Sequence, residues 1–275
     1  MIARRRKVKI GIVGCGAIGS RMARSIKKEF NKYAVVSAIF DIDPAKSQNL
    51  AKEFPKSKII KKSLQDLLKN CDLLVEAVNA SDTQDLVRRA ICAKKDVLAM
   101  SVGKLLNAQA LFRLARQYGC HLLLPSGAIA GVDAIKAASL AHIRSVTLTT
   151  RKPPFGFGKN SYVIAKGINL DKIKSETVLF DGDVDTAVKF FPQNINVAAT
   201  VALASQARDR MRIRIITSPN FQTNSHEIEL DGDFGRIVTR TENVVCPDNP
   251  KTSYLAVLSA VQTLKQYFHE VKIGT

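Results

Sequence analysis

An open, doubly wound parallel α/β sheet followed by a second, α+β domain is the fold class that this 275-residue sequence predicts. Three observations predict it. Short apolar runs alternate with helix-period segments through the first 125 residues, a glycine triplet follows the first apolar run, and the texture changes after Pro125.

Val8–Val13, Val35–Phe40, Leu73–Ala77, Val97–Met100 and His121–Leu124 read as buried strands. They are too short for helices and too continuously apolar for a one-sided sheet. Between them Ile18–Phe30, Pro44–Phe54, Leu64–Leu68, Thr83–Lys94 and Ala108–Tyr118 read as helices. Ser63 with Asp66 fits a capping box, Pro44 suits a first helical turn, and Gly119 suits a C-terminal cap. Alternating strands and helices imply parallel strands with right-handed crossovers.

Beyond Pro125 the pattern predicts a helix near Val132–His142, a strand near Val146–Arg151 and a loop over Pro153–Gly158. Helices near Thr186–Phe190 and Val197–Arg208 follow. The strands Arg212–Thr217, Ser225–Leu230 and Gly235–Thr241 come next, with Gly232-Asp233-Phe234-Gly235 as a hairpin turn. Antiparallel neighbours under a helical layer make this an α+β domain. The expected division is 1–125 and 126–245, with 246–275, whose helix-period part is Thr252–Phe268, packing back on the first domain.

With 46% hydrophobic and 24% charged residues, the composition supports a sizeable core and excludes intrinsic disorder or a disulfide-stapled scaffold. The five cysteines are odd in number, far apart and without a C-x-x-C pair, so no metal is expected and a reducing cytoplasm is the simplest compartment. Arg4, Arg5, Arg6, Lys7 and Lys9 ahead of Ile10 imitate a signal peptide, but Gly11, Gly14 and Gly16 break the apolar run. No stretch approaches the roughly 20 apolar residues of a membrane span, so a soluble, unprocessed protein is expected. The net charge of +18 favours anionic partners. Its lysines are scattered without any nucleic-acid-binding signature, which disfavours nucleic acid; the plain reading is a surface evolved in a basic proteome or cytoplasm, and the sharper one a field that draws in an anionic substrate and cofactor.

Gly14, Gly16 and Gly19 stand in the order G-x-G-x-x-G directly after a strand and at the opening of a helix. Gly14 permits the tight turn, Gly16 lets a pyrophosphate approach the backbone, and Gly19 lets the helix lie close to the sheet. With Ala17 and Ile18 they form the start of the helix, whose free amides make an anion site. Asp41 ends the second strand, where a carboxylate accepts hydrogen bonds from a ribose and repels a 2′-phosphate. The plainer reading of Asp41 is a helix cap, for which Asp43 is better placed. These residues predict a Rossmann domain that binds NAD, while nearby Lys46 leaves NADP open.

A set of later motifs adds a resemblance: Ser126-Gly127-Ala128-Ile129-Ala130-Gly131 with Asp133, Thr150-Arg151-Lys152-Pro153-Pro154, Phe191–Ala199, Asn224-Ser225-His226-Glu227-Ile228 and Asn249–Ser253. In this order, and with Gly11–Gly19, the chain resembles the archaeal and bacterial L-aspartate dehydrogenases over most of its length. The resemblance implies NAD(P)-dependent oxidation of L-aspartate to iminoaspartate, which hydrolyses to oxaloacetate and ammonia or passes to quinolinate synthase in NAD biosynthesis. It also implies a homo-oligomer, expected to be a dimer. It places the catalytic histidine at His226 and cofactor contacts at Ala130 and Asn196. Ser101–Lys104 and Val244-Val245-Cys246 depart from the family pattern.

The residues themselves weigh less on one side. On its own setting, His226 reads first as a satisfied, partly buried histidine at the start of a core-facing row with Ile228 and Leu230. The motif reverses that reading, because an imidazole that exchanges protons near neutrality suits the amine and the attacking water. His142 reads as a cation at a helix end, and His121 and His269 as packing or surface residues. Aspartate's two carboxylates call for cations, with Arg151, Lys152 and Lys251 as candidates and a surface role as the alternative for each. Of Asn194 and Asn196, one caps a helix and the other meets cofactor or substrate. Rival readings are another dehydrogenase or reductase of this architecture, such as homoserine dehydrogenase or dihydrodipicolinate reductase, or a dinucleotide-sensing nucleic-acid-binding regulator.

Overall fold

A computed structural model describes residues 6–54, 58–78, 82–158, 160–191, 195–247 and 249–274. It divides into two compact units, 1–125 with 260–271, and 126–259 with 272–275.

The first unit opens with β1 (Val8–Val13), α1 (Ala17–Lys28), β2 (Ala34–Phe40), α2 (Pro44–Ala51) and α3 (Leu64–Lys69). It continues with β3 (Leu73–Glu76), α4 (Thr83–Cys92), β4 (Asp96–Ala99), α5 (Gln109–Tyr118) and β5 (Leu122–Leu123). The strands form one parallel sheet in the order β2-β1-β3-β4-β5. Successive strand residues serve opposite faces, as the two-residue period requires. Ile10, Ile12, Leu73 and Val75 pack with Met22 and Ile26 of α1, while Leu74, Val97 and Ala99 pack with Leu67, Val87 and Leu111. Helices on both faces explain why the strands carry so few polar residues.

Local chemistry sets the helix ends. Asp43 caps α2 through Ala45 N, with Pro44 in the first turn, and Ser63 Oγ accepts from Asp66 N at 3.1 Å. Gly119 closes α5 at φ +66°, the left-handed conformation in which glycine carries no Cβ penalty.

The second unit contains α6 (Val132–Ala138), β6 (Ile143–Lys152), α7 (Ser161–Ala165), β7 (Thr177–Asp183), α8 (Val184–Phe190) and α9 (Ile195–Ser205). Then follow β8 (Met211–Thr217), β9 (Asn224–Gly232), β10 (Gly235–Asn243), β11 (Val245–Cys246), β12 (Asn249–Ser253) and α10 (Tyr254–Phe268), whose residues from Ala260 on belong to the first unit. Its main sheet runs β10-β9-β6-β8-β7, with β6 and β8 parallel and the other pairs antiparallel. The sheet is therefore mixed and larger than the pattern predicts. The edge strand β7 escapes the pattern because Gly182 and three aspartate or threonine positions interrupt its apolar run and Val178 faces solvent. The Pro/Gly stretch is a 3-10 turn over Pro154–Phe157 rather than an open loop, with Phe157 buried edge-on against Phe191.

The segment 246–275, expected as a whole to return to the first unit, is split: residues 246–259 group with the second unit and 260–271 with the first. Ala260 and Leu264 of α10 are fully buried in the α1 face of the first unit's core. Tyr267 donates to Asp96 Oδ2 at 2.6 Å. The β11/β12 hairpin, absent from the sequence reading, lies in the second unit.

Candidate functional site

In the first unit the glycine turn joins β1 to α1. Gly14 has φ +91°, and a Cβ there would lie 2.4 Å from the Ala77 carbonyl oxygen. A Cβ on Gly19 would lie 1.8 Å from Gly14 O, whereas one on Gly16 would meet open space. Two glycines thus shape the turn and the third leaves a cradle over the start of a 12-residue helix whose first amides have no side-chain cap. This is the donor set a pyrophosphate requires, so the turn fits a dinucleotide. Ala17 and Ile18, the first two residues of α1, place their backbone at the same rim. Asp41 Oδ2 accepts from Cys15 N at 2.7 Å and Oδ1 from Asp43 N at 2.9 Å. Its carboxylate pins the glycine turn and keeps a lone pair on each oxygen for ribose hydroxyls.

Glu76, which the sequence reading passed over as part of an apolar strand, is fully buried at the end of β3. Its carboxylate accepts from Val78 N at 3.1 Å, Ser101 N at 3.0 Å and Ser101 Oγ at 2.8 Å. It ties the loops that follow β3 and β4, at the strand ends where open α/β sheets bind ligands. Burial raises its pKa, opposed by these bonds. The available signal was an acid closing an otherwise apolar strand.

In the second unit His226 lies on β9, buried at 5% exposure. Register places it between Thr150 of β6 and Thr241 of β10. Its Nδ1 lies 3.0 Å from Thr150 Oγ1, in a hydrogen bond that leaves Nε2 as the other ring nitrogen. Burial pushes the imidazole down to about 3, and the nearby Lys152 charge adds to this. The ring is therefore neutral across the physiological range.

Arg151 and Lys152 do not serve the same face. Adjacent strand residues point to opposite sides, and Arg151 pairs with Glu227 at 3.5 Å on the side away from His226. Of these two candidates for the substrate carboxylates, Arg151 therefore faces away from His226. Lys152 shares the face of Thr150 and His226, and burial lowers its ammonium to about 8. At that pH His226 is already uncharged, so burial alone accounts for the shift.

The turn 126–131 is stitched to β10. Thr241 Oγ1 and Asn243 Nδ2 both donate to Ala128 O at 3.0 Å, and Thr239 Oγ1 donates to Ala130 O at 3.3 Å. Gly127 and Gly131 take φ values of +75° and +79°, and a Cβ on Gly131 would strike Thr239. The exposed Ala130 is thus held by the strand neighbouring that of His226. Asn243, a second residue missed in the sequence, is buried with its Oδ1 unpaired.

Asn196 is the second residue of α9 and exposed, so it is not the cap. Asn194 and the side chain of Lys251 lie outside the described residues. Asp133 sits in the first turn of α6. His142 falls beyond α6, which ends at Ala138, and not at a helix terminus. His121 packs edge-on to Tyr267, and His269 lies near Tyr33. Among the described residues no group of three or more His, Cys, Asp or Glu is arranged to hold a metal, and no helix is long and apolar enough to cross a membrane.

Residues 133–267 match the family model "Aspartate dehydrogenase, C-terminal", and residues 14–125 match "Homoserine dehydrogenase, NAD binding domain". The chain is 44% identical to an L-aspartate dehydrogenase of Methanosarcina barkeri over 98% of this chain and all of that one. A Methanosarcina mazei L-aspartate dehydrogenase is 43% identical with the same coverage. The fold is similar to a crystal structure of aspartate dehydrogenase from Thermotoga maritima, with a TM-score of 0.75 and 21% identity over 98% of this chain and 100% of that one.

Proposed function

The chain belongs to the L-aspartate dehydrogenase family, and from that premise we propose how its residues carry out the reaction. It is an NAD(P)-dependent oxidoreductase that converts L-aspartate to iminoaspartate. Bound NAD(P) supplies the hydride acceptor for the substrate Cα.

The glycine turn and Asp41 hold the cofactor, and the Asp41 carboxylate favours NAD over a 2′-phosphate. Ala130 and Asn196 contribute further cofactor contacts. His226 is the catalytic histidine. In the tautomer whose Nδ1–H donates to Thr150 Oγ1, Nε2 presents a lone pair in a ring kept neutral by burial, which is the state needed to take a proton from the water that attacks the imine. A substrate carboxylate placed beside the ring raises its proton affinity, so the base strengthens as the site fills. The Thr150–His226 bond carries this assignment. Lys152 lies on that face and is proposed to meet the substrate at its α-ammonium, with Asn194 as a candidate for its carboxylates.

A homodimer is proposed on the second unit's sheet. The face opposite His226 carries Arg144, Arg236 and Arg240 against Asp231, Glu229 and Glu242, a pattern in which both signs recur. All five cysteines are unpaired, which supports a reducing cytoplasm. Hand-off of iminoaspartate to quinolinate synthase rests on the lability of an imine in water.

The test is NADH formation by the purified protein with L-aspartate, beside D-aspartate, L-glutamate and L-homoserine, repeated with NADP. Reduction with L-aspartate alone is expected. Turnover of L-homoserine with silence on L-aspartate would overturn the reading.

A further inference from the structure

We propose that Lys152 is the base that removes the proton from the α-ammonium of L-aspartate, a catalytic role separate from that of His226. The inference rests on the reading above, that the face carrying His226 is the substrate side.

The chemistry sets the need. L-Aspartate at neutral pH carries an α-ammonium with no lone pair, and hydride cannot leave Cα until a nitrogen pair is free to form the C=N bond. One N–H bond must break first. The proton goes to an acceptor in the protein and the electron pair stays on nitrogen. As the C=N bond forms, the hydride leaves Cα, and NAD(P) bound as in the proposed function would be its acceptor.

His226 is poorly suited to this first step. Its ring is buried and held far below the proton affinity of an alkylamine. Lys152 lies two residues beyond Thr150 on β6, so the strand period places it on the same face, one step along from the Thr150–His226 pair. Its stem runs beside Gly156 of the 154–157 turn, where an added Cβ would come within 3.8 Å of Lys152 Cβ and Cδ. Its carbonyl accepts from Thr217 Oγ1 at 2.8 Å, which fixes the backbone at the end of the strand. On β8 it pairs with Thr217, and its charge acts on His226 of β9. The charged groups Arg151 and Glu227 lie on the reverse face. A partly shielded amine on this face loses its proton more readily than one in water, and its value near 8 matches it to an ammonium donor.

Lys152→Arg separates charge from proton transfer, because a guanidinium keeps the cation and does not give up its proton. Initial rates of L-aspartate oxidation by wild type and Lys152→Arg are measured from about pH 6.5 to about pH 10, spanning the lysine range. The arginine variant is expected to lose about 10²–10⁴-fold in kcat, to keep KM within about threefold, and to lose a limb of the wild-type profile that rises with pH. Lys152→Ala is expected to regain rate on addition of methylamine or ethylamine, more for the stronger base. NADH binding by fluorescence and thermal melting confirm that each variant is folded.

Retention of kcat by Lys152→Arg, or a defect confined to KM, would overturn the proposal and make Lys152 a holder of substrate carboxylate. Lack of rescue in a folded Lys152→Ala counts against it equally. A wild type inactive on L-aspartate would instead sink the functional reading itself, so the two failures are distinct.

Discussion

Thr150 and His226, set opposite each other by the β6–β9 register, share a 3.0 Å hydrogen bond between Oγ1 and Nδ1. The bond fixes both the orientation of the ring and the nitrogen left for chemistry. Thr150→Val keeps the shape of the side chain and removes the partner. Turnover is expected to fall by about ten- to a hundredfold, the scale of a small misplacement of a reacting group. NADH affinity should stay unchanged, and Thr150→Ser should restore most of the rate. Wild-type turnover by a folded Thr150→Val would show that the bond has no positioning role.

Burial of His226 also makes folding sensitive to acid. The folded imidazole sits at about 3, while an unfolded one titrates near 6.5. Between those values the unfolded chain binds a proton that the folded chain does not, so stability is fully present above about pH 6.5 and falls as pH drops toward 3. Calorimetric melts at about pH 7.5 and 4.5 should show a smaller acid-induced loss for His226→Gln than for wild type, by up to a few kcal/mol. Parallel losses in the two proteins would mean that the ring is not held neutral.

The glycine turn predicts two different outcomes from the same added methyl. Gly19→Ala places Cβ 1.8 Å from Gly14 O, so the turn must open and the melting temperature falls together with NADH binding. Gly16→Ala meets nothing within 4 Å. Its fold should persist with an unchanged melting temperature, while NADH affinity drops because the space the pyrophosphate needs is taken. Fluorescence titration with thermal melting separates the two, and unchanged NADH affinity in Gly16→Ala would remove that turn from the cofactor site.

Glu76 tests whether the loops at the strand ends of the first unit are held by one carboxylate. Glu76→Gln replaces an acceptor oxygen with a donor and sets N–H against the amide of Val78 or Ser101. The expected cost is about 1–3 kcal/mol, read by denaturant unfolding, and NADH binding should weaken. The folded carboxyl has a raised pKa, so in wild type this group's contribution to stability declines as pH rises through the folded value, and the Gln variant lacks that decline. Equal pH dependence in both proteins would contradict the raised value.

The first unit was legible because its signals are local. Apolar runs bounded by Pro44, Ser63 and Gly119 place strands and helices without reference to distant residues. The second sheet was less legible. β7 is an edge strand interrupted by polar residues, and the parallel pairing of β6 with β8 depends on contacts across some sixty residues of chain. At the site, the alternation His226–Ile228–Leu230 could be read directly. The opposed directions of Arg151 and Lys152 follow from the same period and were available in the sequence. Glu76 and Asn243 were not singled out, because only the fold shows that their polar atoms meet loop amides and carbonyls.

The most direct measurement is NADH formation from L-aspartate by wild type and His226→Ala side by side, with NADH affinity measured on both. The account predicts rapid, L-aspartate-dependent reduction by wild type, and a loss of about 10²–10⁴-fold in kcat for the variant with cofactor affinity retained. A His226→Ala protein that turns over within a few-fold of wild type, or whose defect lies wholly in NADH binding, would contradict it.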